Sequence, residues 1–207
     1  MMMPHCLPPE REAYINTVNT LQKIKMEEIY KIYVHNPPHL FRPNSKYFIT
    51  GSTYLKKHFL IANDSKRRLL DSIVKGCAKF NWVLEDWVIL NNHYHLMLNA
   101  PEKADTLGVM FKEVHKFTAM WLKDNFPELK AESRIFHNYW DSCITFEKSY
   151  FTRLNYIYCN PVKHGYVKDI RDYLWCNYRF RLKVESNYLS EIKEKYPWNK
   201  VNVKDDF

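Results

Sequence analysis

Glycine is scarce in this chain, and its scarcity excludes the common nucleotide-binding folds. Only four of the 207 residues are glycine, at Gly51, Gly76, Gly108 and Gly165. The dinucleotide fingerprint G-x-G-x-x-G and the phosphate loop G-x-x-x-x-G-K-[ST] both need closely spaced glycines. Because these four stand far apart, Rossmann-type and P-loop sites are excluded.

The chain also lacks paired cysteines and long apolar runs. Its five cysteines form no C-x-x-C pair and are scattered over Cys6, Cys77, Cys143, Cys159 and Cys176. Such spacing is typical of reduced thiols, and argues against a disulfide framework or a zinc ribbon. No apolar stretch reaches the roughly 18 residues of a membrane span, and the amino-terminal MMMPHCLPPE lacks a signal-peptide core. The sequence therefore predicts a soluble, cytoplasmic protein without a membrane partner.

Positive charge and aromatic rings are plentiful. Lys and Arg number 31 against 23 Asp and Glu, which gives a net charge of +8. Cationic side chains gain affinity for nucleic acids by releasing counterions from phosphates. The 15 Tyr, 12 Phe and 6 Trp offer faces on which unpaired bases stack, although aromatic residues more often form the core. This composition favours a polyanionic partner, with a basic protein that binds no nucleic acid as the alternative.

The length fits one domain with extensions, or at most two small domains, and apolar periodicity predicts that the chain alternates between helices and strands. Helices are predicted over 10–35, 65–79, 104–125 and 147–159, and strands over 46–55, 81–90 and 93–100, with a proline-rich linker at 36–45 and an ambiguous segment at 139–146. Asn63 or Asp64 is expected to cap the second helix. The last helix is expected to end at Asn160, because the residue before a proline is driven out of the helical conformation. From residue 166 onward we expect short helices or extended segments.

His93, Tyr94 and His95 form the sharpest local motif. On a strand, alternate side chains share a face, so both imidazoles point the same way with their Cα atoms roughly 7 Å apart. Their ring nitrogens can then converge on one divalent ion, while Tyr94 anchors the strand in the core. The alternative is two ordinary histidines on a half-exposed strand.

A second motif lies on the predicted helix that begins at residue 147. Tyr156 and Asn160 are four residues apart and so share a face, with Arg153 beside them and Lys163 and His164 just beyond the predicted end. A tyrosine can act as a nucleophile that forms a covalent intermediate, and an amide oxygen suits magnesium or manganese. The alternative for Tyr156 is ordinary core packing.

These two motifs resemble those of the single-tyrosine HUH transposases. LNNHYHLML is similar to their HUH block, and LNYIYCNPVKHGYV is similar to the tyrosine-helix signature of the REP-associated branch, approximately Tyr-Ile-x-x-Asn-Pro-Val-Lys-x-Gly. The signature matches at Tyr156, Ile157, Asn160, Pro161, Val162, Lys163 and Gly165. KYFITGSTY, the YW at 139–140 and LWCNYRF resemble further blocks in the same order. The resemblance covers about residues 44–182 and implies an α+β fold, an antiparallel sheet with packed helices like the ferredoxin-like (RRM-like) palm of HUH nucleases.

The resemblance also implies an activity and a division of the chain. A catalytic domain over 44–182 would lie between an amino-terminal extension, 1–43, and a carboxy-terminal extension, 183–207. His93, His95 and Asn160 would bind Mg²⁺ or Mn²⁺, and Tyr156 would cleave single-stranded, hairpin-forming DNA through a 5′-phosphotyrosine. Arg153 and Lys163 are our own candidates for phosphate contacts.

Several points stay open at the level of sequence. Asn91 stands where the family commonly has a proline before the Asn-His of the HUH block. A non-cleaving regulator that binds DNA hairpins, and a replication initiator or relaxase of the HUH type, are competing interpretations. A zinc hydrolase is weaker, because the chain has no H-E-x-x-H motif. A monomer and a homodimer are both compatible with the sequence.

Overall fold

The computed structural model describes residues 30–31 and 39–197. Its strands are β1 (Tyr30–Lys31), β2 (His39–Leu40), β3 (Lys46–Ser52), β4 (Val83–Ile89), β5 (His93–Asn99) and β6 (Trp140–Ile144). Its α-helices are α1 (Asn63–Phe80), α2 (Leu107–Asn125), α3 (Glu147–Lys163) and α4 (Tyr178–Lys195). None of the helices in this described part is both long and apolar enough to cross a membrane.

Four of the strands form one antiparallel sheet in the order β4-β5-β3-β6. Along the chain these strands and the first two helices follow the pattern β3-α1-β4-β5-α2-β6. This is the β-α-β-β-α-β arrangement of ferredoxin-like folds, with the first and third strands in the centre. The predicted α+β fold is confirmed, and the ambiguous segment at 139–146 contains the edge strand β6.

Alternation along the central strands divides the core between the two faces of the sheet. Tyr94 stacks on Phe111 of α2 on one face. On the other face Met97 and Phe48 join a buried cluster with Leu154 and Ile157 of α3. Helices α1 and α2 therefore cover one face, and α3 covers the face toward which His93 and His95 point.

Gly51 makes room for the tyrosine between the two histidines. It pairs with Tyr94 across β3 and β5, and a Cβ atom at Gly51 would lie 2.1 Å from Cζ of the Tyr94 ring. The fully buried Tyr94 ring thus crosses the neighbouring strand, and its hydroxyl lies 2.7 Å from Nε2 of His115. This contact fixes the face on which Tyr94 lies, and with it the opposite face of the two histidines.

Helix α3 corrects one prediction, because it does not end at Asn160. Pro161 lies inside the last turn, where the missing N–H costs a single hydrogen bond. The chain closes the helix with the N–H of His164 donating to Asn160 O and that of Gly165 to Val162 O. Gly165 has φ +70°, the left-handed conformation that commonly follows a helix end. Lys163 therefore belongs to α3.

The segment after residue 166, for which the sequence predicts short helices or extended segments, contains one long helix. Helix α4 runs for 18 residues, Tyr178–Lys195, and buries Leu189 and Ile192 in the cluster around α3. Asp86, fully buried at a bulge in β4, accepts hydrogen bonds from Tyr158 (2.8 Å) of α3 and from Arg181 (2.8 Å) of α4. The expected boundary between residues 182 and 183 falls within this helix.

The start of α1 and residues 30–31 also differ from their predictions. The start of α1 is preceded by Ala62 with no side-chain cap, so neither Asn63 nor Asp64 caps it. Asn63 instead accepts a hydrogen bond from the indole of Trp175 at 2.7 Å. Apart from Tyr30–Lys31, the predicted helix over 10–35 lies outside the described residues, as do residues 36–38 of the predicted linker over 36–45. The two described residues of that helix, Tyr30–Lys31, are not helical but pair with His39–Leu40 as antiparallel strands.

The Gly51 contact gives a prediction for stability. We expect Gly51→Ala to lower the free energy of unfolding by about 2 kcal/mol or more, because the new methyl group overlaps a buried ring that has no free space. Urea unfolding followed by circular dichroism measures this difference. Ser52→Ala, the next residue of β3, is the control and should change stability by less than about 0.5 kcal/mol. Equal stability of the two variants would contradict the packing argument.

Candidate active site

Strand β5, which begins with the HUH block, places both histidines in a buried position on the α3 side of the sheet. His93 and His95 are 1% and 0% exposed, and their ring centroids lie 5.2 Å apart. Tyr94 between them points to the opposite face, as the predicted alternation requires. The strand thus presents two imidazoles side by side toward α3.

A hydrogen bond holds one nitrogen of each imidazole. Nδ1 of His95 lies 2.9 Å from the hydroxyl of Thr50, and Nδ1 of His93 lies 2.7 Å from Oδ1 of Asn92. The amide of Asn92 is oriented because its Nδ2 donates to the carbonyl of Lys56. Since Oδ1 can only accept, His93 donates from Nδ1 and keeps a lone pair on Nε2.

Nε2 of His93 faces a second acceptor. Oδ1 of Asn160 lies 3.1 Å away, so two lone pairs point at each other unless a proton or a cation lies between them. Burial, and next the charge of His164, lower the pKa of His93 to about 3, so the protonated ring is disfavoured. Adjacent ligands of an octahedral Mg²⁺ ion bound at ~2.1 Å lie about 3 Å apart. The His93–Asn160 pair therefore has the spacing of two ligands of one divalent cation.

The rest of the donor set is consistent with such a cation. His95 lies beside His93, and burial lowers its pKa well below the usual value, which keeps its imidazole neutral. Nδ2 of Asn160 is buried without a hydrogen-bond partner among the described residues. Within residues 30–31 and 39–197 no three or more His, Cys, Asp or Glu side chains are grouped to hold a metal. A cation here would thus need the amide of Asn160 beside the two imidazoles.

Tyr156 lies next to this donor set within the same chain. Its ring packs edge-on against His95 with centroids 5.2 Å apart, and it is only 2% exposed. The hydroxyl of Tyr156 accepts a hydrogen bond of 3.0 Å from Nζ of Lys163, which also lies 4.9 Å from the ring centroid. The two residues are seven apart, two turns of the continuous helix, and so share a face.

Arg153, the other predicted phosphate contact, packs between α3 and β3. Its guanidinium donates to the hydroxyl of Ser149 and lies 5.9 Å from the ring centroid of Phe48. Phe48 in turn stacks on His95 at 5.3 Å. Burial lowers the pKa of Arg153. The structure thus brings His93, His95, Asn160, Tyr156 and Lys163 together, while Arg153 contacts Phe48, the ring that stacks on His95.

Asn91, at the family's proline position, has its own anchor. Its side-chain oxygen accepts a hydrogen bond of 2.8 Å from Nζ of Lys66, which also donates to the carbonyl of Ile61. Lys66 is only 4% exposed, and burial lowers its pKa to about 8. A buried lysine thus holds the turn before the HUH strand, where the family commonly has a rigid proline.

The supporting residues were missed at the level of sequence. Thr50 is paired with His95 across β3 and β5, and this pairing joins residues 45 apart in the chain. Asn92 directly precedes the motif, so the sequence shows that it is next to His93 but not how its amide is oriented. Because α3 is predicted to end before Lys163, the sequence does not place this lysine on the helix face of Tyr156.

A comparison with known protein families identifies the family of this chain. The model of the IS200-like transposase family matches residues 44–158, more than half of the chain. The chain therefore belongs to the IS200-like transposase family, as its motifs predicted.

Two relatives and one solved structure are similar to this chain. The REP-associated tyrosine transposase of Escherichia coli K12 is 30% identical over 140 residues, which is 62% of this chain and 77% of the relative. A protein of Haemophilus influenzae named for the same group is 30% identical over 112 residues, 47% of this chain and 59% of its own length. A solved REP-associated tyrosine transposase bound to a REP hairpin superposes with a TM-score of 0.58 at 22% identity, covering 86% of this chain and 94% of that one. This last likeness shows a shared fold.

The bond between Asn92 and His93 can be tested by metal binding. We expect Asn92→Ala to weaken Mn²⁺ binding by about 10- to 100-fold, because the imidazole loses the partner that orients its ring. Electron paramagnetic resonance titration of free Mn²⁺ measures the affinity. Asn187→Ala, which removes an exposed amide from α4, is the control and should bind Mn²⁺ as the unaltered protein does. An unchanged affinity of Asn92→Ala would show that this bond does not orient a ligand.

Proposed function

We propose that this protein is a metal-dependent endonuclease and strand transferase acting on single-stranded, hairpin-forming DNA through a 5′-phosphotyrosine on Tyr156. One observation carries the proposal: the Tyr156 ring lies against His95, with its hydroxyl hydrogen-bonded to Lys163, in the same chain as the His93–Asn160 pair. Membership of the IS200-like transposases supports it. The REP hairpin bound to the structural relative makes hairpin DNA the partner to test.

The proposed reaction exchanges one phosphoester for another. The oxygen of Tyr156 forms a bond to the scissile phosphorus as the bond from phosphorus to the 3′-oxygen breaks. The tyrosine gives up its proton, and the departing 3′-oxygen takes one up to become a hydroxyl. The 5′ end of the DNA stays on the protein as a phosphodiester-linked tyrosine. Attack by another 3′-hydroxyl reverses the exchange and joins the strands.

The residues of the chain have separate tasks in this exchange. His93, His95 and Asn160 would hold Mg²⁺ or Mn²⁺, which when bound supplies Lewis-acid polarisation of the phosphate. Lys163 donates to the oxygen of Tyr156 and so stabilises the negative charge that develops there as the proton leaves. Thr50 and Asn92 keep the imidazoles in place. We therefore assign Lys163 first to the nucleophile, whereas the sequence suggested a phosphate contact.

Burial adds a second task for Lys163. Tyr156 is 2% exposed, while the lysine is exposed and lies over the tyrosine ring. The ammonium group therefore attracts a phosphate that approaches Tyr156. The cation beside the nucleophile favours both the phenolate and the bound phosphate.

Replacement of the nucleophile is the direct test. We expect Tyr156→Phe to form no covalent adduct with a labelled DNA hairpin that carries single-stranded flanks, because the attacking oxygen is gone. Incubation with Mn²⁺ followed by a denaturing gel detects the adduct, and a mobility-shift assay should show binding within about threefold of the unaltered protein, because a hydroxyl-to-hydrogen change leaves the ring packing intact.

Tyr150→Phe is the matched control, because it removes a hydroxyl from the same helix that points toward Glu85 and away from the histidines. This variant should retain the adduct. Full adduct formation by Tyr156→Phe would reject Tyr156 as the nucleophile. Tight hairpin binding without an adduct in the unaltered protein would instead favour the non-cleaving regulator.

The contact between Lys163 and Tyr156 gives a second prediction. We expect Lys163→Met to slow single-turnover adduct formation by about 10²-fold, the usual cost of removing one preorganised donor at a developing charge. DNA binding should weaken far less, because only one of many cations is lost. Rapid-quench measurement of adduct at saturating protein gives the rate. Lys168→Met, an exposed cation beyond the same helix, is the control, and equal rates for both variants would contradict the assignment.

A further inference from the structure

A cleft of about 350 Å³ opens beside the His93 end of the candidate site. Its lining residues are His58, Asn91, Asn92, His164, Gly165 and Tyr166. The volume is near the lower end of the range for sites that enclose a small organic ligand. None of the six lining side chains is acidic, and three of them carry aromatic rings. The cleft therefore suits a flat ring that is part of an anionic ligand.

The order of residues along α3 places this cleft on the far side of the metal ligands from Tyr156. Tyr156, Asn160 and His164 follow one another every four residues, roughly 6 Å apart along the helix axis. Tyr156 lies against His95, Asn160 against His93, and His164 packs against the His93 ring at 4.9 Å. The seam between β5 and α3 thus runs from the nucleophile, past the cation ligands, to the cleft.

Stereochemistry assigns a direction to the DNA along this seam. In an in-line displacement the attacking and departing oxygens lie on opposite sides of the phosphorus. If the tyrosine oxygen attacks from its own end of the seam, the departing 3′-oxygen points toward the cleft. The nucleotide that carries this oxygen is the one on the 5′ side of the cleaved bond.

The side chains of the cleft fit such a nucleotide. The rings of His58 and Tyr166 offer faces on which a base can stack. Nε2 of His164 is buried and has no hydrogen-bond partner among the described residues, an arrangement that is rare unless a ligand or water completes it. Gly165 leaves space, because a Cβ atom there would meet nothing within 4 Å.

We propose that this cleft is the subsite for the nucleotide immediately 5′ of the cleaved bond, with the rings of His58, His164 and Tyr166 contacting its base and sugar. The assignment rests on the proposed function, because that function defines the cleaved bond. It goes further by naming the residues that contact one nucleotide of the single-stranded flank.

Single abasic substitutions in the DNA test the subsite. In the unaltered protein an abasic nucleotide immediately 5′ of the cleaved bond should slow adduct formation about tenfold, as expected when one stacked base is lost. In the double variant His58→Ala/His164→Ala the same abasic substitution should cost less than about twofold, because its stacking partners are already absent. His137→Ala, an exposed histidine outside the cleft, is the matched control and should keep the full tenfold sensitivity.

Three further measurements make the outcome decisive. An abasic nucleotide on the 3′ side of the bond should affect the unaltered protein and the double variant equally. His58→Ala alone, at an exposed position, and thermal unfolding of each variant guard against misfolding. A tenfold abasic effect that persists in the double variant would overturn the subsite and leave the proposed function standing. Hairpin binding in a mobility-shift assay without adduct in the unaltered protein would overturn the proposed function, and the subsite with it.

Discussion

The placement of Tyr94 is the constraint on which the candidate site depends. A strand sends consecutive side chains to opposite faces, so a tyrosine fixed in one core forces both neighbours toward the other. Gly51 on the adjacent strand leaves space for the Tyr94 ring, and the Tyr94 hydroxyl lies within hydrogen-bond distance of His115. A shift of β5 by one residue would place a large ring over the tyrosine helix and turn both imidazoles toward α1 and α2. The packing of one apolar face thus determines the chemistry of the other.

The second constraint is the unbroken length of α3. Because the helix continues through Pro161, Tyr156, Asn160 and Lys163 lie on one face at intervals of four and seven residues. Asp86 holds this helix against β4 through Tyr158 and ties it to α4. Tyr156, Asn160 and Lys163, to which we assign the nucleophile, a metal ligand and the donor to the tyrosine oxygen, are thereby carried by one helix, which the buried Asp86 holds near its middle.

The sequence predicts what is local or periodic. The shared face of His93 and His95 follows from the period of a strand, and that of Tyr156 and Asn160 from the period of a helix. The pairing of Thr50 with His95, and the bonds of Asp86 to residues more than 70 positions away, depend on tertiary contacts that no local pattern encodes. The sequence predicts that α3 ends at Asn160, whereas the helix continues to Lys163. Pro161 costs one hydrogen bond in the last turn, and the left-handed Gly165 that closes the helix offsets this loss.

The candidate donor set, two imidazoles and one amide, brings no negative charge to the site. Two neutral imidazoles and an amide would leave the charge of a divalent cation uncompensated, whereas carboxylate ligands would cancel it. Lys163 and the half-buried His164 add no negative charge, and burial followed by the effect of Lys163 lowers the pKa of His164. Under the proposed function, the phosphate of the DNA would supply the missing negative charge, so that binding of DNA and binding of the cation would strengthen each other. Repulsion among these groups is limited because burial lowers the pKa of both imidazoles and so keeps them neutral.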